Sequence, residues 1–420
     1  MEITNILSEE IKNNMAHPAE LEKLYRKNKS SFHNAFNDVY PKVKHELTAQ
    51  IWNERLNYTQ EKISWGNKKE LILVIILSLV AGFLAKIPDF TGYSEELFYS
   101  RNIALLVFPL LVFYFSWKQK IGINKLLLPV LLIIASALYI NLLPQSTTSD
   151  TIILACIHLP LFLWAIWGYI FVDGDLKKSE KKISFLRYNG DFLVMVAVIL
   201  LSCIIFTAIT FGMFRLIEID IQEIYSSYVI KWGLPAIPLL ATYLIQNNSQ
   251  LTNKISPVIA KIFTPIVFIT LFIFLSAVVY TGKYPYDDRE FLLIFNALLI
   301  GVMALILFSV SEVDKSKNYK STIFILFGLS FLTIIVNGIA LSAILFRINQ
   351  YGITPNRIAV LGTNILIMVH LLSVARKIYE SLSGRVEIIA VEKAISFFLP
   401  IYIFWTGIVT FLLPVIFNFK

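Results

Sequence analysis

From residue 70 onward the chain consists mostly of apolar stretches of about 20 residues, separated by short polar connections. A helix of that length crosses a hydrocarbon layer of roughly 30 Å, so each stretch predicts one transmembrane helix. The pattern predicts an all-α, polytopic transmembrane helix bundle of about eleven spans, at 70–87, 102–117, 126–143, 151–172, 192–216, 230–246, 259–280, 291–310, 322–346, 358–375 and 395–417. The second span is short and contains Pro109, so a tilted or partly re-entrant segment is an alternative there.

Residues 1–69 differ from the rest because they are rich in charge, with eleven Lys or Arg and nine Asp or Glu. Apolar residues recur there at helical spacing, as at Phe32, Phe36 and Val39. We interpret this part as a small cytosolic segment of three short helices. Pro18 and Pro41 are expected near helix starts, where the missing backbone donor costs nothing.

The composition supports a membrane protein. Hydrophobic residues make up 56% of the chain and charged residues 16%, with a mean hydropathy of +0.67, whereas soluble domains are near a quarter charged. The net charge of +8 is spread over the loops, so no nucleic-acid partner is expected. The two cysteines, Cys156 and Cys203, both lie in apolar spans and do not indicate a disulfide.

Charges in the connections predict the orientation, because short cytoplasmic loops are rich in Lys and Arg. The alternation fits a cytoplasmic N-terminus and an outside C-terminus. The densest group of cations lies at Lys177, Lys178, Lys181, Lys182 and Arg187. It could contact anionic lipid headgroups, although a topology signal alone explains it. The predicted divisions are a cytosolic helical segment at 1–69, a four-span module at 70–172, a basic cytosolic linker at 173–191 and a seven-span module at 192–420.

No Asp or Glu lies in the middle of a predicted span, which argues against coupling to protons or sodium ions. The polar candidates within spans are weaker: His158, Asn296, Asn337, Asn364 and His370. Such side chains usually join packed helices, and contact with a substrate is the alternative. The chain has no Gly-rich phosphate loop, no His-Glu-x-x-His and no Cys-x-x-Cys. We therefore expect no catalytic residues, metal or cofactor, which argues against an enzyme.

The connection from Tyr351 to Arg357 concentrates polar and special residues between two apolar runs. Gly352 suits a left-handed helix stop, Thr354 an N-cap and Pro355 a first helical position. Arg357 in a first helical turn opposes the helix dipole, so an anionic partner is expected. Candidates are a lipid phosphate or an acidic residue such as Glu218, Asp220 or Glu223, and snorkelling to the headgroups is the alternative. Tyr351, Asn356 and Arg357 are therefore candidate binding residues.

The residues Tyr351-Gly352-Ile353-Thr354 followed by Asn356-Arg357 resemble the loop of an uncharacterised bacterial family of multi-pass membrane proteins, known only as a domain of unknown function. The stretches "HPAELEKLYRKNKSSFHNAFNDVYP" and "AQIWNERLNY" are similar to the cytosolic lead-in of that family. The resemblance would cover nearly the whole chain. It implies a bacterial inner-membrane location and no particular activity.

Two functional hypotheses follow. The first is a permease-like protein, or one that handles lipids or small molecules without ion coupling. The second is a membrane scaffold or sensor that recruits a cytosolic partner through residues 1–69. Convergence of Asn337, Asn364, His158 and His370 on one cavity would favour the first hypothesis. Pairing of these residues between packed helices would favour the second.

Overall fold

A computed structural model describes residues 2–57, 67–144, 146, 148–216, 220–247, 263–276, 279–280, 289–311 and 320–419. Every regular element within these ranges is helical, which confirms the all-α prediction for this part of the chain. The chain divides into two compact units, Met1–Ser64 and Trp65–Lys420. The division falls close to the predicted boundary at residue 69.

The first unit contains the helices α1 (Glu2–Asn13), α2 (Pro18–Lys27), α3 (Lys29–Val43) and α4 (Leu47–Asn57). All four contribute to one apolar core, which includes Ile11, Leu21, Phe32, Phe36 and Trp52. The described residues of this unit thus bury their apolar side chains in a core of their own, as an independently packed unit does.

Two details of this unit differ from the prediction. Its described residues form four helices where three were expected, because α1 forms before the first proline. Pro18 occupies the first turn of α2 as predicted, but Pro41 lies inside α3 and does not begin a helix. It falls in the last turn, where the lost backbone bond interrupts little because α3 ends two residues later. The start of α3 is instead capped by Asn28, whose Oδ1 accepts from Ser31 N.

The second unit contains twelve helices in the described ranges. They are α5 (Lys68–Ala85), α6 (Ile87–Thr91), α7 (Glu95–Gln119), α8 (Ile123–Leu142), α9 (Asp150–Phe171), α10 (Ser179–Leu216), α11 (Gln222–Asn247), α12 (Phe263–Ser276), α13 (Arg289–Ser311), α14 (Lys320–Tyr351), α15 (Pro355–Leu382) and α16 (Ile388–Ile416). Eight of them, α7 to α11 and α14 to α16, are long and apolar enough to cross a membrane. The chain is a multi-pass, membrane-embedded protein.

The second predicted span is a complete helix and not a re-entrant segment. Helix α7 runs without a break through Pro109 and is 25 residues long. It begins earlier than its apolar run because Ser94 caps it, accepting from Leu97 N, and Glu95 and Glu96 lie at the positive end of the helix dipole. Because its first turns carry charged residues, the hydropathy pattern did not show where α7 begins.

Helix α10 also begins earlier than predicted. It starts at Ser179, inside the predicted linker at 173–191, and extends for 38 residues. The basic residues from Lys181 to Arg187 therefore lie on a helix. Lys182 Nζ donates to Ser396 O on α16 at 2.8 Å, so this basic part of α10 contacts another helix of the bundle.

Two large apolar cores hold the second unit together. One includes side chains of α5, α7, α9, α11 and the start of α10, and the other includes side chains of α12 to α16. Helix α11 packs against α5 and α7, although the predicted linker separates them in sequence. The described contacts thus cross the predicted linker, and the division into four-span and seven-span modules stays a prediction.

Candidate functional site

The turn between α14 and α15 has the local structure that its residues predict. Gly352 has φ = 76° and ends α14 in the left-handed region, which glycine adopts without strain. Thr354 Oγ1 accepts from Arg357 N at 3.4 Å, and Pro355 occupies the first turn of α15. The predicted stop, cap and first helical position are all confirmed.

Arg357 binds the end of the preceding helix. Its Nη1 donates to Tyr351 O at 2.9 Å and to Gly352 O at 2.6 Å. Carbonyl groups in the last turn of a helix lack partners within it, and a cation there is favoured by the helix dipole. The charge of Arg357 is thus unfavourable at the start of α15 but favourable at the end of α14.

The prediction of an acidic side chain as the partner of Arg357 is wrong for the two candidates that the structure describes. Neither Asp220 nor Glu223 forms an ion pair with it, and Asp220 Oδ1 instead accepts from Gln222 N at 2.9 Å. The third candidate, Glu218, lies outside the described residues.

Tyr351 lies beside two arginines. The Cζ atom of Arg357 is 5.6 Å from the centroid of its ring, and that of Arg347 is 6.0 Å from it. Arg347 is one helical turn before Tyr351 on α14, and the sequence did not identify it as a site residue. Asn356 is half-buried beside Arg357 in the first turn of α15.

Three asparagines meet between α13, α14 and α15. Asn337 Nδ2 donates to the backbone oxygen of Asn364 at 3.1 Å, and Asn364 Nδ2 donates to Asn296 Oδ1 at 2.8 Å. Asn337 and Asn364 are almost completely buried. This is the arrangement of side chains that join packed membrane helices.

The two intramembrane histidines lie in separate environments. His370 on α15 is fully buried, stacks on Phe398 with ring centroids 4.3 Å apart, and its Nδ1 lies 3.2 Å from Tyr402 Oη. His158 on α9 has Nδ1 2.9 Å from Leu154 O, one turn earlier on its own helix. The predicted candidates therefore pair off locally and do not converge on one site.

A cavity of about 490 Å³ lies at the turn between α15 and α16. It is lined by Ile323 and by residues 381–387. None of the predicted binding residues lines this cavity.

A polar cluster around Glu70 was not predicted from the sequence. In this cluster Oε1 of Glu70 accepts from Lys118 Nζ at 2.6 Å, from Tyr114 Oη at 2.5 Å and from Asn247 Nδ2 at 3.3 Å. The donors come from the ends of α7 and α11, so one carboxylate joins three helices. The sequence offers only a weak indication of this cluster, since Glu70 lies directly before one apolar run and Lys118 directly after the next.

A second cluster joins α6, which follows α5, to the start of α7 and to α11. Lys231 Nζ lies 2.6 Å from Asp89 Oδ1 and 2.9 Å from Glu95 Oε1, and Lys86 Nζ lies 3.0 Å from Asp89 Oδ2. Lys86 also lies 4.0 Å from the centroid of the Tyr228 ring. Both ends of this helix group are thus held by ion pairs.

Arg101 is another buried cation that binds a helix end. It donates to Leu143 O at 2.9 Å and to Pro144 O at 2.6 Å, directly after α8. Beside it Asn102 and Asn141 exchange amide hydrogen bonds of 2.9 and 2.8 Å. These contacts fix α7 against α8.

Buried acids are present in the second unit. Glu70, Asp191 and Glu392 are 7%, 8% and 5% exposed. Asp191 lies on α10 directly before the predicted span at 192–216, and Glu392 lies on α16 before the predicted span at 395–417. That no acid lies in the middle of a span, and that ion coupling is therefore disfavoured, both stay predictions.

In the described part of the chain no group of three or more His, Cys, Asp or Glu side chains is placed to hold a metal ion. No family model, curated protein or solved structure matches the chain. Its function therefore has to be inferred from its own residues.

Proposed function

We propose that the protein is a membrane scaffold or sensor that recruits a cytosolic protein through residues 1–64. The observation that carries this proposal is the separate packing of these residues, which enclose a core of their own. A segment that only began the first membrane helix would not need such a core.

The charge of residues 1–64 points to a protein partner more than to the lipid surface. They contain nine Lys or Arg and nine Asp or Glu, so their formal net charge is zero. Attraction to an anionic leaflet requires an excess of basic residues. On α4, Leu47 and Ile51 are 72% and 59% exposed and lie one turn apart, which offers an apolar contact.

The polar residues of the membrane helices support the same proposal. The Asn337 side chain is bonded to α15, that of Asn364 to α13, and that of His158 to its own helix. Such pairing is typical of residues that hold a bundle together.

The proposed topology has eleven spans in a bacterial inner membrane, with the N-terminus in the cytoplasm and the C-terminus outside. Beyond the eight candidate spans, α5, α12 and α13 are apolar helices at the predicted positions of the first, seventh and eighth spans. The distribution of Lys and Arg between connections supports the orientation.

The test is site-specific cross-linking in the native membrane. A photoreactive residue replaces Ile51 in the full-length chain, and the matched control replaces Lys23, whose side chain is 73% exposed on α2. We expect one protein to be captured from position 51 and not from position 23. Capture should be lost when Leu47→Asp is added while the melting temperature is unchanged. Identical products from both positions, or none, would contradict the proposal.

A second candidate function, handling of a lipid or another apolar small molecule, is favoured by α10. Its residues 201–206 are all exposed, and six consecutive helical positions cover every face. The apolar side chains of this part of α10 are thus open to lipid on every face, which suits a protein that handles lipids.

Cys203 lies in this part of α10 and is exposed, whereas Cys156 is half-buried. Transbilayer movement of a fluorescent phospholipid is measured in liposomes that contain the Cys156→Ser protein. If the second function holds, a bulky lipid-soluble maleimide on Cys203 slows this movement, and the same treatment of the Cys156→Ser, Cys203→Ser protein does not. Rates equal to those of protein-free liposomes would exclude this lipid as the molecule handled.

A further inference from the structure

Arg347 and Arg357 bring two positive charges to one aromatic ring at the turn between α14 and α15. Their Cζ atoms lie 6.0 and 5.6 Å from the centroid of the Tyr351 ring. The two guanidinium groups can therefore be no farther apart than the sum of these distances. Neither forms an ion pair with an acidic side chain in the described ranges.

One side-chain nitrogen of Arg347 is buried. Its Nη1 atom is out of contact with solvent and has no hydrogen-bond partner among the described residues. A buried donor without an acceptor costs about 1–3 kcal/mol, and more if it is charged. The two guanidinium groups also repel each other, and this repulsion grows as their separation decreases. An anion placed there would remove both costs.

Three other described cations at the same predicted side of the membrane have partners. Lys86 and Lys231 pair with Asp89, and Arg101 binds the carbonyl groups that follow α8. Arg357 uses Nη1 for the carbonyl groups at the end of α14. Among these described side chains Arg347 is the one with a buried nitrogen left over.

The turn lies at a membrane surface, where phosphate groups are found, whichever way the protein is oriented. Helices α14 and α15 are both candidate spans, and only residues 352–354 connect them. The turn must therefore lie at a membrane surface. The exposed Tyr351 beside the arginines fits the interfacial aromatic belt. The fork of donors on arginine matches two oxygens of one phosphate.

We propose that Arg347 and Arg357 together bind one phosphate group at this turn. Tyr351 holds the two guanidinium groups beside the site by cation–π contact. The ligand is the phosphate of a phospholipid headgroup or a free phosphate ion, which share the chemistry that the arginines recognise. This site is independent of partner recruitment by residues 1–64.

The test is native mass spectrometry of the full-length protein in detergent, titrated with phosphatidylglycerol and, separately, with inorganic phosphate. Diacylglycerol, which lacks the phosphate, is the lipid control. The decisive variant is Arg347→Gln, because this side chain makes no hydrogen bond in the described part of the chain. We expect about tenfold weaker binding of one of the two phosphate probes, as for the loss of a charge-assisted bond.

The matched control is Arg376→Gln, which removes one positive charge at the other end of α15 and should bind like the wild type. Because Arg357 also binds α14, it is replaced by Lys, which keeps the charge but loses the fork, and intermediate binding is expected. Loss of phosphatidylglycerol alone identifies a lipid site, and loss of inorganic phosphate alone identifies a free-ion site. Equal binding by wild type and Arg347→Gln, or an equal loss in Arg376→Gln, would overturn the proposal.

Discussion

Lys118 Nζ lies 2.6 Å from Glu70 Oε1, which joins the end of α7 to the start of α5. Glu70 is almost completely buried, and Tyr114 and Asn247 donate to the same oxygen. Removing a partner from such a group leaves other buried polar groups without a counterpart. The cluster therefore sets how α5, α7 and α11 meet.

Replacing Glu70 by Ala should lower the free energy of unfolding by about 2–3 kcal/mol, because Lys118 and Tyr114 lose their acceptor. The change is measured by unfolding in mixed detergent micelles. Removing both charges, as in Glu70→Leu with Lys118→Met, should be less damaging than Glu70→Ala. The control Glu96→Gln changes an exposed acid on α7 and should stay near the wild type. An equal loss in control and variant would contradict the role of the cluster.

Replacing Arg357 by Gln should loosen the end of α14, because two carbonyl oxygens lose their charged donor. The expected loss of stability is about 1–2 kcal/mol. Hydrogen exchange should become faster in the last turn of α14 and at the start of α15. Arg376→Gln, at the other end of α15, should leave that region unchanged. If exchange at the turn is unaffected in Arg357→Gln, the side chain serves only to reach the headgroups.

Hydropathy located the helices well, because a membrane helix needs a long apolar run whatever its neighbours are. It failed where charged residues belong to the helix. Glu95, Glu96 and Arg101 begin α7, and Lys181 to Arg187 lie on α10, so both starts were placed too late. The turn at Gly352, Thr354 and Pro355 was predicted correctly, since its chemistry is local.

The polar partners could not be predicted, because they depend on which helices lie side by side. Asn247 reaches Glu70 from 177 residues away, and Asn364 reaches Asn296 from 68 residues away. Residue types suggested that these side chains bond between helices, but periodicity carries no information about the partner. Arg347 was missed for the same reason, since its significance depends on Tyr351 and Arg357 together.

Gly362 should not tolerate Ala. A Cβ atom there would overlap the Trp405 ring of α16, whose Nε1 donates to Thr363 Oγ1 at 3.0 Å and holds it in place. We expect a loss of roughly 1–3 kcal/mol from overpacking, measured as a lower melting temperature. Gly407→Ala, whose Cβ would meet Phe162 at 3.8 Å, and Gly338→Ala, with open space, are the controls. A variant as stable as these controls would show that Trp405 moves freely.

The bond between Asn364 and Asn296 should appear as a coupling energy. A double-mutant cycle with Ala at both positions should give about 0.5–1.5 kcal/mol, the range for hydrogen bonds between membrane helices. The matched cycle pairs Asn364 with Asn102, which bonds Asn141 in a different helix group and should show no coupling. Coupling of the same size in both cycles would mean that the variants alter the whole bundle.

Asp89 should make stability depend on pH. The hydrogen bond from Lys231 lowers the pKa of this carboxyl below its usual value, and Lys86 acts in the same direction while burial opposes it. Because the pKa is lower in the folded state, the stabilisation is complete above the unfolded pKa of about 4 and is lost as the pH falls through the folded pKa. The difference in melting temperature between wild type and Asp89→Asn should therefore have its full size at pH 7 and shrink below about pH 4.

Two control variants test the role of Lys231. In a Lys231→Met background this pH dependence should be much weaker, whereas Glu95→Gln, which leaves the bond from Lys231 to Asp89 in place, should preserve it. A difference that stays constant from neutral to acidic pH would mean that Lys231 does not hold Asp89 ionised.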